Sequence, residues 1–264
     1  MADRDPSCAE GRAPQSDEVL FAKGISKSFG ANVVLDGFDL TLRAGENVAI
    51  LGRSGSGKSV FLKVVAGLLE PDRGEVRLWG REVRGLSFEE WVPLRRRMGL
   101  VFQSGALFDS MTVFENVAFP LLERKMEDES EIQRIVNERL EWVELPGTGD
   151  LYPSALSGGM RRRVALARTL ATDPEFILYD EPTSGLDPVT GRKIASLMRI
   201  LDRKLHTTSI VVTHDIECAK TTAERWAFLS RGRVLAEGSP EDLLKCGEPE
   251  VLEFLRTPAP ELRA

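Results

Sequence analysis

Three glycines, a lysine and a hydroxyl stand at one fixed spacing in Gly52-Arg53-Ser54-Gly55-Ser56-Gly57-Lys58-Ser59, which fits GxxxxGK[ST] throughout. Glycines let successive backbone N–H groups turn inward around phosphate oxygens, and a helix starting at the end of such a loop adds positive potential. In this pattern Lys58 reaches the outer phosphates and the Ser59 hydroxyl ligates Mg2+. Average residue frequencies produce the pattern by chance in about one chain in a hundred of this length, and the flanking residues argue against chance. The apolar run Asn47–Leu51 ends at Gly52, and Phe61, Val64, Val65 and Leu68 follow at helical spacing. Strand, glycine loop and helix are the order a phosphate loop needs.

Phosphoryl transfer also needs a carboxylate that organises Mg2+ and a group that positions the attacking water. The apolar strand Phe176–Asp180 ends on two acids, Asp180 and Glu181. Adjacent carboxylates at a buried strand tip are costly unless charge compensates them. This assigns Asp180 to the neighbourhood of Mg2+ and Glu181 to the general base or water-positioning role. Phe29, ahead of the second strand, either stacks on an adenine or belongs to the core. A second glycine-opened helix begins at Leu156-Ser157-Gly158-Gly159-Met160. Its N–H groups and the Ser157 hydroxyl can bind a γ-phosphate, yet it has no lysine and no magnesium residue of its own. It is half of a site.

The elements that must position these residues alternate along the chain. Val19–Phe29 and Val33–Leu42, with apolar residues at Val34, Phe38, Leu40 and Leu42, read as partly alternating strands. From Thr112 to Val143 the pattern is helical, with Ile132, Ile135, Val136, Leu140 and Val143 on one face, which predicts a helical lobe inserted at about residues 104–170. Apolar strands return at Phe176–Asp180 and Ser209–His214, each after a helical stretch, so the sheet is largely parallel and buried on both faces. Trp226–Gly238 reads as a hairpin, Ser239-Pro240-Glu241-Asp242 as a capped helix start, and Pro249–Leu255 as a short amphipathic piece. The predicted division is a tail over residues 1–17, a main domain over 18–240 and a helical extension over 241–264. Arg161, Arg162 and Arg163 point about 100° apart on a helix, so they form no single basic patch; their predicted places are solvated or beside phosphate.

Composition narrows the class. Of 264 residues, 42% are hydrophobic and 29% charged, near the globular average, which favours neither a disordered nor a fibrous class. A net charge of −6 gives no global attraction to nucleic acid or anionic lipid. Three scattered cysteines and two histidines argue against a disulfide framework and a structural zinc site. No run approaches the ~20 apolar residues that span a bilayer, and the first residues lack a signal peptide's apolar stretch. The expectation is a cytoplasmic chain whose membrane connection comes through a partner.

Taken together, the phosphate loop, Gln103, Leu156–Met160, Asp180–Asp187 (DEPTSGLD) and His214 resemble, in order, the motifs of ATP-binding-cassette (ABC) ATPases. The resemblance covers about residues 19–240. It implies an α/β P-loop NTPase with a mainly parallel sheet core, an N-terminal antiparallel β subdomain and an inserted α-helical subdomain. It also implies a head-to-tail homodimer in which ATP on one subunit's phosphate loop is closed over by the other's Ser157–Gly159. Gln103 would sense Mg2+ and the attacking water, Asp187 would couple the two sites, and His214 would hold the γ-phosphate. The cofactors implied are ATP and Mg2+.

A lone cassette implies separate membrane permease subunits, received near Val101–Leu121, where Leu107, Phe108 and Met111 are apolar residues in a loop. That stretch, the Leu156–Arg168 helix and Pro249–Leu255 are similar to the ATPase subunits of Mla/Mce-type phospholipid transporters, also known as organic-solvent-tolerance proteins. Such a system implies an inner-membrane permease dimer with the ATPase on its cytoplasmic face, an MCE-domain substrate-binding protein, in some cases a STAS-domain regulator, and glycerophospholipid cargo. An importer ATPase for amino acids or organic ions is the alternative within the family. Non-transport cassette proteins usually join two cassettes or insert long coiled coils, and this chain has neither.

Overall fold

The computed structural model describes residues 17–256. The predicted tail, apart from Asp17, and the last eight residues of the predicted extension lie outside the described residues.

Two sheets carry the fold. β1 (Glu18–Phe29) and β2 (Asn32–Arg43) form an antiparallel hairpin, and β4 (Arg73–Leu78) with β5 (Arg81–Glu82) extends it to the order β2-β1-β4-β5. The larger sheet runs β10-β9-β3-β8-β7-β6. Its strands β3 (Asn47–Leu51), β6 (Met98–Val101), β7 (Phe176–Asp180), β8 (Thr208–Thr213) and β9 (Arg225–Ser230) are parallel, and β10 (Arg233–Gly238) closes the edge as the antiparallel arm of the expected hairpin.

Side-chain alternation sorts the core. In β3, Val48 and Ile50 enter one apolar cluster and Ala49 and Leu51 another; in β7, Phe176 and Leu178 face the first while Ile177 and Tyr179 face a third. A strand buried on both faces has no polar side, which is why these runs are continuous rather than alternating. The face carrying Val48 and Phe176 is covered by the antiparallel sheet, α1 (Lys58–Val65) and α2 (Phe88–Arg95). The opposite face is covered by α3 (Val113–Glu123), α4 (Glu129–Trp142), α5 (Gly158–Leu170) and α6 (Pro188–Leu205), and further along by α7 (Ile216–Thr222), α8 (Pro240–Lys245) and α9 (Pro249–Arg256).

Local signals place the helix starts. Thr112 and Glu115 form a capping box on α3, Ser239 and Asp242 one on α8, Ser157 caps α5, and Asp187 caps α6 ahead of Pro188. Two expectations need correction. The helix after the phosphate loop stops at Val65, because Gly67 turns to φ +67° against the Trp91 ring, and Leu68 is exposed. In β2 the buried set includes Leu35 and only partly Val34, because register shifts against β1 break the period of two.

Candidate nucleotide site

β3 delivers the chain to Gly52 at the carboxyl edge of the parallel sheet, and the loop re-enters α1 at Gly57, whose φ is +108°. A Cβ there would lie 2.7 Å from the Val34 carbonyl oxygen, so the turn accepts no side chain. Nothing lies within 4 Å of a Cβ built on Gly55, leaving room where phosphate oxygens must approach the backbone. From α1 to α8, α1 stands apart in starting without a side-chain cap. Its first N–H groups are available to an anion. The Ser56 hydroxyl oxygen is likewise buried with no hydrogen-bond partner, the mark of a group that waits for a ligand.

Lys58 is buried, and its ammonium donates to the carbonyls of Gly52 (2.8 Å) and Arg53 (3.0 Å) while lying 3.7 Å from Glu181. Burial lowers its pKa and the Glu181 charge opposes the shift. Arg53 turns outward to an exposed ion pair with Glu253 of α9 at 3.0 Å, and Glu250 of the same helix accepts from Ser230. Ser54 belongs to the exposed crown of the loop.

Ser59 Oγ donates to Asp180 Oδ1 at 2.7 Å, so the loop hydroxyl and the strand-tip carboxylate meet although 121 positions apart. Burial raises the Asp180 pKa, and the Ser59 bond counters it. These are hard oxygen donors of the kind Mg2+ prefers, with room for phosphate oxygens and water to complete its shell. Glu181 follows at φ +48°, nearly buried. Its Oε2 lies 2.8 Å from His214 Nδ1 and accepts weakly from Thr213 Oγ1 at 3.4 Å. Burial disfavours the Glu181 carboxylate, but the contacts with His214 and Lys58 outweigh it and hold its pKa low; the same Glu181 contact raises that of His214.

Gln103 Nε2 donates to Ser184 Oγ at 3.1 Å, linking the loop after β6 to the turn that ends at Asp187. Asp187 accepts from the N–H groups of Val189 and Thr190, both at 3.0 Å. Phe29, at the end of β1, is half exposed and so is not a core residue; the Lys27 ammonium lies 5.8 Å from the centre of its ring. Gly159 packs on α6, where a Cβ would sit 2.7 Å from Thr190 Cγ2, and Gly158 faces the turn before α6, where a Cβ would sit 3.4 Å from Leu186 Cδ2. No hydrogen bond among the described residues joins Ser157–Gly159 to the phosphate loop of the same chain.

Arg162 corrects the sequence reading. It is buried and donates to the backbone carbonyls of Phe102, Gln103 and Ser184. The available signal was its position three and four residues before Ala165 and Leu166, on the face of α5 that packs inward. Glu253 was missed, and Ser184, inside the Asp180–Asp187 motif, had no role assigned; both reach the site through partners far along the chain.

A phosphate cradle, a hydroxyl–carboxylate pair and a histidine-bonded glutamate at one sheet edge define a nucleotide-hydrolysing P-loop protein. A family model described as ABC transporter matches residues 35–184, and the chain belongs to the ABC transporter family as an ATP-hydrolysing subunit coupled to transport. It is 41% identical to the intermembrane phospholipid transport system ATP-binding protein MlaF of Haemophilus influenzae, over 91% of each chain. It is 42% identical to a probable ribonucleotide transport ATP-binding protein, mkl, of Mycobacterium leprae (93% of this chain, 71% of that one). Identity is also 42% to the methionine import ATP-binding protein MetN of Rhizobium johnstonii (87% and 63%). Among solved structures, the dimeric post-hydrolysis state of the cassette MJ0796 bound to ADP and Pi aligns with a TM-score of 0.77 at 36% identity, covering 83% of this chain and 98% of that one.

Proposed function

We propose that this chain is the ATPase of a system that moves phospholipid between the inner and outer membranes. The observation that carries the reading is the match to MlaF, 41% identical over 91% of both chains. The shorter coverage of MetN, 63% of that protein, leaves a methionine or other amino-acid importer as the second reading.

In the proposed cycle ATP lies along Gly52–Ser59, its adenine on Phe29 and its phosphates on the α1 N–H groups and Ser56. Lys58 turns from the carbonyls of Gly52 and Arg53 to the outer phosphates. Ser59, Asp180 and Gln103 would hold Mg2+, which when bound neutralises phosphate charge and orients the γ-phosphoryl group. Glu181 takes the proton of the attacking water as the new P–O bond forms and the bond to the ADP oxygen breaks. His214, exchanging Glu181 for the γ-phosphate, holds the oxygens of the group that leaves as phosphate.

Ser157–Gly159 has no role toward its own loop, so a second copy of the chain supplies it head to tail, with Asp187 at the seam between the two sites. The helical part at 104–170 and the half-exposed Phe108, whose ring lies 4.8 Å from that of Phe119, receive the permease. Residues 18–240 then form the motor and 241–264 an appended helical segment. Among the described residues no helix is long and apolar enough to cross a membrane, and the ATPase dimer sits on the cytoplasmic face of its permease. An MCE-domain protein and a STAS-domain regulator are the further partners of this reading.

Isolation of the tagged chain from native membranes in mild detergent, with mass spectrometry of copurifying polypeptides and lipids, tests it. A permease with an MCE-domain protein and phospholipid is the expected outcome. A permease with a soluble amino-acid-binding protein would replace the cargo and keep the motor.

A further inference from the structure

Two arginines of α5 grip one loop. Arg162, 7% exposed, sends Nη1 to the carbonyls of Phe102 (2.9 Å) and Gln103, and Nη2 to that of Ser184 (3.2 Å). Six residues on, Arg168 sends its guanidinium to the carbonyls of Gly105 (2.9 Å) and Ala106 (2.7 Å) and lies 5.8 Å from the centre of the Phe108 ring. The loop fits closely beneath them, since a Cβ on Gly105 would stand 3.5 Å from both Ala165 Cβ and the Arg161 carbonyl oxygen. From Phe102 to Ala106, only the Ser104 carbonyl is left out of the grip.

Neither guanidinium forms an ion pair with a carboxylate among the described residues, and burial pulls both pKa values down. Arg162 is a buried cation without a counter-charge and Arg168 a partly buried one, an expensive way to fill a helix face that an apolar side chain fills at lower desolvation cost. What a guanidinium adds is a rigid fork of donors that can join carbonyls from different segments. Here the segments are the Gln103 loop, the helix that begins at Ser157–Gly159 and the turn that leads to Asp187.

We propose that Arg162 and Arg168 are positioning residues that fasten the Phe102–Ala106 loop to α5, so that Gln103 and Ser157–Gly159 move as one body tied through Arg162 to Ser184. The inference rests on the head-to-tail dimer proposed above. A displacement of Phe108 then reaches the group facing the chain's own ATP and the group facing the partner's ATP together.

The test compares Arg162→Gln, which loses the fork, with Arg162→Lys, which keeps the charge, each in the wild-type and Glu181→Gln full-length chains. Binding of a fluorescent ATP analogue to the isolated monomer stays within about twofold, while kcat falls about tenfold and the ATP concentration that dimerises Glu181→Gln rises about tenfold; lysine recovers part of both losses. Turnover and dimerisation within about twofold of the parent, or a loss of analogue binding equal to the loss of turnover, overturns the proposal. Should Arg162→Gln not fold, Arg168→Gln is read against the same outcomes. If Glu181→Gln itself fails to dimerise with ATP, the dimer reading falls, and hydrogen exchange of the 102–106 amides in the nucleotide-free chain decides the grip. Exchange about tenfold faster in the variants supports it, and unchanged exchange overturns it.

Discussion

Glu181 is held in place by His214 on one side and Lys58 on the other, at 2.8 and 3.7 Å. The site is therefore a closed set of charges in which the lysine and the histidine occupy the carboxylate, and the lysine also the loop carbonyls. Asp180 and Asp215 also bear on the set from β7 and the start of α7. This arrangement makes stability depend on pH. His214, with its pKa raised above the ordinary 6.5, contributes stability that is complete below pH 6.5 and is lost as pH climbs through the raised value. Glu181, with its pKa lowered below 4.5, contributes above pH 4.5 and loses it as pH falls through the lowered value. The pair is at full strength between those limits. Because the imidazole is half exposed, the nucleotide-free Tm of wild type should exceed that of His214→Gln by only about 1–2 °C near pH 6, and the gap should shrink toward about pH 9. Thermal melts over that range check it, and a flat gap removes charge from the contact.

The start of α5 depends on the start of α6. Gly159 is glycine because Thr190 stands where its Cβ would be, at 2.7 Å from Cγ2, and Thr190 is itself bonded to the Asp187 cap. Alanine at 159 gains about 1 kcal/mol of helix propensity, against an overpacking cost of about 1–3 kcal/mol. The clash should win: Gly159→Ala is expected to be about 1 kcal/mol less stable in urea, with monomer nucleotide affinity unchanged and ATP-driven dimerisation of the Glu181→Gln chain weakened. A gain in stability with normal dimerisation would show that Thr190 yields freely. At this scale the sequence was most legible where signals are local. The phosphate loop, the acids after Phe176–Asp180, the α5 start and the Ser239 cap each declare themselves within a few residues. The stretch 71–101, which folds into β4, β5, α2 and β6, gave little signal because its strands are short and take their shape from pairing with β1 and β7; the Ser87–Glu90 capping box that starts α2 was a local signal left unread. Arg162 was misread for a related reason: an arginine buried by carbonyls from distant loops has the same local sequence as a solvated one.

At the scale of the molecule, the fold assembles one complete cradle and one half-site that faces away from it. Mixing Ser157→Arg chains with Lys58→Ala chains tests this directly. Each is inactive alone, and in the mixed dimer the intact loop of the first meets the intact Ser157–Gly159 of the second. Random pairing should restore about a quarter of wild-type turnover. No recovery would argue against head-to-tail sharing or show that one working site is insufficient, outcomes that a covalently linked pair with one dead site separates. The fold class was legible at this scale because alternating strands and helices prescribe a parallel sheet, whereas the order of strands was not, since it depends on contacts far apart in the chain.

That strand order has a consequence for the birth of the protein. β3, from which the phosphate loop hangs, lies between β8 and β9, with Val48 paired to Ile210 on one side and to Arg225 on the other. Both neighbours emerge from the ribosome long after β3 itself. At about 5–20 residues per second, the nascent chain spends roughly ten seconds or more with this fully buried strand lacking both neighbours. A polypeptide halted before β8 would carry every residue of the loop and still lack both strands that flank β3, presenting chaperones with an open apolar edge instead of an ATPase.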